Sequence, residues 1–256
     1  MGNPYILWTE RLSVCFDHFW ALQNVDFAVR EGELRVVIGP NGAGKTTLMD
    51  LITGRVKPTS GKIFFDGCNI TGKSPHEIAS KYHIGRKFQG PNLFENLSVS
   101  ENLSLAAPGL NTVGSVFLRG TPKDVLENTD KILQVIGLPE KRKCLACELS
   151  HGERQWLEIG MLMMQDPRMM ILDEPTAGMT EEETYQTGEM IQRLQKGHTI
   201  LVVEHDMNFV RQVAKSVTVF HLGRILAEGP ISQIENNREV VRVYLKSERP
   251  KEKKDA

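Results

Sequence analysis

Long apolar runs are missing from this chain of 256 residues, and no stretch approaches the roughly 18 residues of a membrane-spanning helix. The first residues, Met1–Tyr5, do not place an apolar segment behind a basic one, so we expect no secretory signal. We therefore expect any attachment to a membrane to go through a partner protein.

An excess of charge of either sign is also missing. Lys and Arg together number 31, Asp and Glu number 32, and the formal net charge is −1. This balance argues against a nucleic-acid-binding surface and against an acidic tail. The apolar share of 40% is ordinary for a globular protein, and the length is sufficient for a sizeable core.

Cysteine is scarce, with four in the chain, and Cys144 and Cys147 form a C-x-x-C. A zinc site would need a second pair or histidines at ligand spacing. A redox motif would follow the first strand of a βαβ unit, which this pair does not. We favour reduced cytosolic thiols over either alternative.

A glycine-rich segment after a predicted buried strand, Leu34–Ile38, is the most informative part of the chain. It fits G-x-x-x-x-G-K-[ST], and an apolar helix is predicted directly after it. Such a loop turns its backbone N–H groups around a polyphosphate, its lysine reaches the β- and γ-phosphates, and its hydroxyl ligates Mg²⁺. We predict that ATP and Mg²⁺ bind there, through Gly39, Pro40, Asn41, Gly42, Ala43, Gly44, Lys45, Thr46 and Thr47.

Strand and helix patterns alternate on both sides of a more helical middle part. Buried strands alternating with helices predict parallel βαβ units and an α/β fold. The first strands alternate with turn residues between them, whereas residues 92–165 show helical spacing and a capping box at Ser98–Glu101. We expect a helical insertion in a nucleotide-binding core, and a disordered charged tail over 246–256.

A second candidate site is the apolar strand Met169–Leu172, which ends in Asp173 and Glu174. Acids at the carboxyl end of a core strand face the crevice in which α/β proteins bind ligands. The first could hold Mg²⁺, and the second could activate a water molecule. Strands often end in solvated acids, and the upstream phosphate loop is what favours the functional interpretation.

Between these two sites, Leu149-Ser150-His151-Gly152-Glu153 resembles the LSGGQ signature of the ATP-binding-cassette (ABC) ATPases. The resemblance extends over residues 9–245 and implies a P-loop NTPase core with an antiparallel β-subdomain and a helical insertion subdomain. It also implies that Ser150 and Gly152 contact the γ-phosphate of an ATP bound to a second ABC ATPase subunit, the same chain or a different one.

The same resemblance assigns roles to three further residues. Phe16 resembles the aromatic residue that stacks on adenine, although a core role in its strand is the alternative. Gln89 resembles the glutamine that senses Mg²⁺ and the γ-phosphate, and His205 resembles the switch histidine. The resemblance thus implies a catalytic set of Glu174, His205 and Gln89, and metal contacts from Thr46, Gln89 and Asp173.

The chain departs from the family pattern in three places. His151 replaces a glycine and Glu153 replaces a glutamine. The segment Ala177–Thr180 stands where the family has an aspartate loop, and it contains no aspartate. Thr180 suits the N-cap of a helix that begins with Glu181.

The resemblance implies an importer ATPase at the cytoplasmic face of the membrane. Its partners would be transmembrane permease subunits and, indirectly, a solute-binding protein, with no nucleic acid. The chain resembles the branched-chain-amino-acid type of importer ATPase. Within that type, segments around Ile84–Gln89, Gln155–Met161 and Ala177–Thr184 resemble subunits of urea importers, which makes urea our first expectation and branched-chain amino acids the alternative.

Two further functions stay open at this stage. A cytosolic ABC protein acting on ribosomes or DNA would usually carry two cassettes or long coiled coils, and this chain has one cassette and no sustained heptads. A regulatory module that binds ATP without hydrolysing it would fit the altered signature. The presence of Glu174 and His205 argues against that module.

Overall fold

The computed structural model describes residues 4–87, 93–108 and 122–247. The chain divides into two compact units, Met1–Pro75 with Val203–Ala256, and His76–Val202. The strands are β1 (Tyr5–Phe16), β2 (Phe19–Val25), β3 (Ala28–Arg30), β4 (Leu34–Ile38), β5 (Ser60–Phe65), β6 (Cys68–Asn69), β7 (Ile84–Lys87), β8 (Met169–Asp173), β9 (Thr199–Val203), β10 (Ser216–His221) and β11 (Arg224–Gly229).

The helices follow the same chain order. They are α1 (Lys45–Ile52), α2 (Pro75–Tyr82), α3 (Val99–Ala106), α4 (Lys123–Val135), α5 (His151–Met163), α6 (Glu181–Leu194), α7 (Met207–Val213), α8 (Ile231–Glu235) and α9 (Arg238–Ser247). Short 3₁₀ turns lie at Pro139–Lys141 and Ala146–Glu148. None of the helices in the described ranges has the length and apolarity needed to cross a lipid bilayer.

The first unit contains the antiparallel sheet that the sequence predicts. Its strand order is β2-β1-β5-β6, and β3 pairs with β1. The alternating pattern of Val25–Val29 predicts one continuous strand, and this is wrong, because β2 ends at Val25 and β3 begins at Ala28. The segment between them stays beside β1, where the Asp26 carboxylate accepts the amide N–H of Arg11 at 2.6 Å and the Phe27 carbonyl accepts the amide N–H of Thr9 at 2.8 Å. A side-chain contact thus interrupts the backbone ladder.

The first unit also holds the strand that leads into the phosphate loop. β4 pairs in parallel with β10, which pairs antiparallel with β11. Val36, Val37 and Ile38 are fully buried. The glycine-rich segment then connects β4 to α1, which buries its own apolar residues, so the predicted strand–loop–helix context is confirmed.

The second unit combines a parallel sheet with helices. Its strands have the order β9-β8-β7, β7 and β8 are parallel, and every residue of β8 and β9 is buried. Helices α3, α4 and α5 lie within the range 92–165, and Leu103, Ile132 and Ile136 pack around Gly160 of α5. The boundaries of the predicted helical subdomain stay a prediction.

Two adjacent cations of β7 form buried ion pairs with different elements. Arg86 Nη2 lies 2.8 Å from Asp173 Oδ2 at the end of β8, and both side chains are 3% exposed. Lys87 Nζ lies 3.1 Å from Glu158 Oε2 on α5. Neighbouring residues of a strand point to opposite faces, so β7 is linked by charge to β8 on one side and to α5 on the other.

Some predicted boundaries differ from the structure. The pair Thr121-Pro122 predicts a helix with Thr121 as its cap and Pro122 in its first turn, whereas Pro122 occupies the N-cap of α4 and Thr121 lies outside the described residues. The sequence did not predict α8 and α9. Helix α9 extends to Ser247, and residues 248–256 of the predicted tail lie outside the described residues.

Candidate functional site

The phosphate loop is fixed by neighbours within the first unit. Gly44 has a φ of 104°, and a β-carbon there would come within 2.6 Å of the Leu22 side chain and 2.8 Å of the Ala21 carbonyl oxygen, so only glycine fits. The amide of Gly223, in the β10–β11 turn, donates to the Ala43 carbonyl at 3.0 Å. Strand β2 and this turn therefore hold the loop from outside.

Lys45 turns its ammonium back over the loop. Its Nζ donates to the carbonyl oxygens of Gly39 at 2.7 Å and Pro40 at 3.2 Å, and the side chain is buried. Gly44 is the N-cap of α1, and glycine has no side chain that could occupy the first N–H groups of the helix. A buried ammonium beside an uncapped helix N-terminus fits a polyphosphate, and Thr46 is exposed in the same turn.

Phe16 lies at the end of β1 in a tight hairpin with β2. It is 44% exposed, and the neighbouring Phe19 and Trp20 are exposed as well. The hairpin pairs Phe16 with Phe19 across its turn. This exposure excludes the core role that the sequence left open for Phe16, and stacking on adenine stays a prediction.

His205 belongs to the first unit and is held by Glu204, a residue for which the sequence predicted no role. Glu204 is almost fully buried, and its Oε2 accepts the His205 amide N–H at 2.9 Å. The Glu204 amide donates to the Val37 carbonyl at 3.2 Å, two residues before the phosphate loop. The His205 side chain is 65% exposed, as a residue meeting a ligand from solvent would be.

The acids at the end of β8 have different environments. Asp173 is buried; its Oδ2 pairs with Arg86, and its Oδ1 has no hydrogen-bond partner among the described residues. A buried carboxylate oxygen left open in this way fits a hydrated Mg²⁺. Glu174 is half-buried and has a φ of 47°, a left-handed conformation that is rare outside glycine and is often found at functional sites.

The segment Ser150–Glu153 begins helix α5 with a capping box. Ser150 Oγ accepts the amide N–H of Glu153, and Glu153 Oε2 accepts the amide N–H of Ser150 at 2.9 Å. Glu153 Oε1 also lies 2.5 Å from Lys141 Nζ. The glutamate that replaces the family glutamine thus caps the helix as glutamine would, and it adds an ion pair.

The charge of Glu153 is favoured by these contacts. Burial raises the pKa of Glu153, but the hydrogen bonds from Lys141 and from the Ser150 amide outweigh it, and the net shift is downward from the ordinary value of 4.5. The carboxylate is therefore ionised at neutral pH.

His151 and Gly152 contact the segment that stands in place of the family's aspartate loop. His151 Nε2 donates to the Ala177 carbonyl oxygen at 2.9 Å. A β-carbon on Gly152 would lie 2.4 Å from Glu183 Oε1, so the glutamate packs against the glycine. Thr180 is the N-cap of α6 with Glu183 as its capping partner, which confirms the predicted cap.

Within each unit, the structure places the predicted residues as follows. The first unit contains Phe16, the phosphate loop and His205, and the second contains Ser150, Gly152, Asp173 and Glu174. Gln89 lies outside the described residues.

Three residues hold the candidate site residues in place without having been predicted to do so, namely Arg86, Glu183 and Glu204. Two adjacent cations in the short strand Ile84–Lys87, beside the acid-ended strand, were an available signal for Arg86. The capping-box spacing from Thr180 to Glu183 was a signal for the cap alone, and Glu204, at the end of β9, gave none.

Known proteins resemble this chain over nearly its whole length. The sequence profile of the ABC transporter family matches residues 22–177. A probable branched-chain amino acid transport ATP-binding protein LivG from Archaeoglobus fulgidus is 37% identical over 246 residues, which cover 94% of this chain and 95% of the relative. The high-affinity branched-chain amino acid transport ATP-binding protein BraF from Pseudomonas aeruginosa is 35% identical, with coverages of 96% and 99%.

Solved structures give the same result for the fold. The ADP conformation of an ATP-binding cassette of an ABC transporter superposes with a TM-score of 0.81 at 32% identity. The superposition covers 95% of this chain and 99% of that one. The predicted cassette fold, an α/β core with an antiparallel sheet, is confirmed.

The capping role of Glu153 predicts a small, pH-dependent loss of stability in Glu153→Gln. Glutamine keeps the cap but loses the charge interaction with the half-exposed Lys141, so we expect a loss of at most about 1 kcal/mol at pH 7. Because the folded-state pKa is lowered, this stabilisation is complete above the unfolded-state pKa and is lost as the pH falls through the folded-state pKa.

Urea denaturation of both proteins between pH 3 and 7 measures this difference. The exposed Glu140, next to Lys141, provides the control Glu140→Gln. If the difference in unfolding free energy between the wild type and Glu153→Gln stayed constant down to pH 3, the charge of Glu153 would not be the source of the stabilisation.

Proposed function

This chain belongs to the ABC transporter family, whose cassettes hydrolyse ATP in transport, and we propose that it is the ATP-hydrolysing subunit of an importer for a small solute. The observation that carries the proposal is the phosphate loop, in which the buried Lys45 ammonium and the start of α1 converge. That arrangement suits a nucleotide polyphosphate.

We assign ATP binding to the loop Gly39–Thr47 and to Phe16. Lys45 would exchange its two carbonyl contacts for phosphate oxygens, which are stronger partners because they are charged. Phe16 offers an exposed ring for the adenine base. The A. fulgidus and P. aeruginosa relatives are described as ATP-binding proteins, which supports this assignment.

We propose that Mg²⁺ is held by Thr46, Asp173 and Gln89. Asp173 Oδ1 is the buried oxygen without a described partner, and Arg86 fixes the other oxygen of the same carboxylate. Arg86 would thereby orient Asp173 while leaving Oδ1 to the hydration shell of the ion. Mg²⁺, when bound, neutralises charge on the β- and γ-phosphates.

Hydrolysis is assigned to Glu174 with His205. Glu174 would accept a proton from the attacking water, and its left-handed backbone, with a φ of 47°, is of the strained kind often found at functional sites. His205 would donate a hydrogen bond to the γ-phosphate, and Glu204 holds its backbone in place. These roles follow from the family pattern together with the positions of the residues in each unit.

We propose that two ABC ATPase subunits, identical or different, enclose ATP between them. Ser150 and Gly152 of one subunit would then meet the γ-phosphate bound by the other. ATP binding would close the pair and hydrolysis would open it, since a ligand favours the state that it binds better. Transmembrane permease subunits would receive this movement at the cytoplasmic membrane face, with a solute-binding protein delivering the solute.

The comparisons favour branched-chain amino acids as cargo over our first expectation of urea. The similar curated proteins carry branched-chain amino acid transport in their descriptions. The resemblance to the urea-transporter subunit UrtD rests on three short segments, and those segments do not touch the solute in an ATP-binding subunit. We therefore propose a branched-chain amino acid importer and keep urea as the second candidate.

Replacement of Glu174 by glutamine tests the catalytic assignment. The amide keeps the size of the side chain and loses the base, so Glu174→Gln should bind MgATP and hydrolyse it about 10²–10⁴-fold more slowly. The measurements are MgATP affinity, phosphate release and sedimentation with MgATP, in which the variant should accumulate as a dimer.

The control is Glu189→Gln, which changes an exposed glutamate of α6 outside the predicted catalytic set. It should retain wild-type turnover. Near-normal turnover in Glu174→Gln would reject the catalytic role, and an inactive wild type with its permease present would favour the regulatory-module alternative.

Asp173→Asn tests the Mg²⁺ site and has a matched control in the same sheet. We expect the Mg²⁺ concentration that half-saturates its effect on ATP binding to rise about tenfold, as loss of one contact to a charged group would produce. Lys87→Met also breaks a buried ion pair of β7 and should destabilise the fold similarly, but should leave the Mg²⁺ dependence within about twofold.

Equilibrium binding of ATP, with and without Mg²⁺, gives the readout independently of turnover. Thermal melts of both variants show whether the comparison is made at similar stability. Equal shifts in Mg²⁺ dependence for the two variants would mean that the effect is structural and that Asp173 is not a metal contact.

The cargo is tested by transport. The chain, expressed with the permease subunits that co-purify with it from native membrane, is reconstituted in vesicles. We expect ATP-dependent uptake of labelled leucine, and we expect unlabelled urea not to reduce it. Uptake of labelled urea, unaffected by leucine, would reverse our order of the two candidates.

A further inference from the structure

One carboxylate of the second unit joins the starts of two helices. Glu183 Oε2 accepts the amide N–H of Thr180 at 3.0 Å and the Thr180 hydroxyl at 3.1 Å, which caps α6. Its other oxygen, Oε1, accepts the hydroxyl of Ser150, the N-cap of α5, at 3.4 Å. Glu183 therefore does more than cap its own helix.

Two further contacts run alongside this bridge. The Glu183 carboxylate occupies the space beside Gly152 that a larger side chain would fill. A β-carbon on residue 152 would lie 2.4 Å from Glu183 Oε1. His151, at the position where the family has a glycine, donates from Nε2 to the Ala177 carbonyl oxygen. Residues 150–152 are thus held to 177–183, the segment that lacks the family's aspartate.

The bridge uses the same hydroxyl proton that a phosphate would need. A serine hydroxyl has one proton to donate, and here it points to Glu183. The Thr180 amide, foremost, lowers the pKa of Glu183 against the opposing effect of burial, and Ser150 and His151 add to the lowering, so the carboxylate is charged at neutral pH. A phosphate approaching Ser150 would meet this charge and be repelled.

We propose that Glu183 is a positioning residue that competes with the ATP phosphate for Ser150, so that the Ser150–Gly152 segment engages ATP only after Glu183 releases the hydroxyl. The inference rests on the proposed function, in which Ser150 meets an ATP bound by the other subunit. The exchange would tie the start of α6 in one subunit to the ATP bound by the other.

The test measures ATP-dependent dimer formation by the full-length chain carrying Glu174→Gln. Glu183→Gln and Glu181→Gln are each added to this parent and compared. If the dimer contains two different subunits, the partner ATPase is included. Glutamine at 183 still accepts the Thr180 amide, while its NH₂ group can donate to Ser150 Oγ and free the hydroxyl proton. We expect the ATP concentration for half-maximal dimer formation to fall about threefold to tenfold, as loss of one charged competitor would produce.

Glu181→Gln is the matched control, because it removes the same charge from the same exposed first turn of α6. It should change the half-maximal ATP concentration by less than twofold. In a Ser150→Ala background, the effect of Glu183→Gln should disappear, whereas a merely structural effect of Glu183 would persist.

The outcomes separate this inference from the function on which it rests. If the Glu174→Gln parent never associates with MgATP, the proposed function fails and this inference fails with it. If the parent associates but the Glu183→Gln and Glu181→Gln curves coincide, the inference alone is wrong. If Glu183→Gln does not fold, Glu183→Asp replaces it in the test. Its side chain is one methylene shorter and still charged, so we expect it to release Ser150 and to lower the half-maximal ATP concentration. An unchanged half-maximal ATP concentration in Glu183→Asp would overturn the inference.

Discussion

The second unit depends on two buried ion pairs that start from adjacent residues of β7. Arg86 pairs with Asp173 of β8, and Lys87 pairs with Glu158 of α5. Removing one partner of such a pair typically destabilises a protein by about 3–5 kcal/mol, because the other charge stays buried. The parallel ladder pairs Arg86 with Ile171, and the Arg86–Asp173 ion pair leaves the Asp173 carboxylate with one oxygen bound and the other without a described partner.

Helix caps place the candidate signature contacts in a similar way. Ser98 with Glu101, Ser150 with Glu153, and Thr180 with Glu183 all form the same reciprocal cap. In the first, Glu101 serves its own helix, and the lowered pKa of Glu101 comes first from the Ser98 hydroxyl and then from the Ser98 amide. In the other two, the glutamate has a second partner, Lys141 or Ser150, so a local motif also makes a tertiary contact.

The departures from the family pattern acquire physical roles in this context. Glu153 is a capping residue, and glutamate and glutamine both perform that role. His151 reaches a backbone carbonyl that a glycine could not reach. The segment Ala177–Thr180 contains no aspartate, but Glu183 follows it closely in the chain. The Glu183 carboxylate lies against Gly152.

The sequence by itself determined the phosphate loop, the acid-ended strand β8, the Ser98–Glu101 capping box and the Thr180 N-cap, because each rests on residues close together in the chain, whose spacing encodes local geometry. The cassette fold followed from the resemblance that these motifs, taken in order, bear to the family. Tertiary structure decided what depends on distant partners: the Arg86–Asp173 pair joins residues on different strands, and Glu204 and Glu183 act through contacts that no local spacing reveals. The exposure of Phe16 was decided there too, since a strand pattern alone does not tell which end of a hairpin is covered.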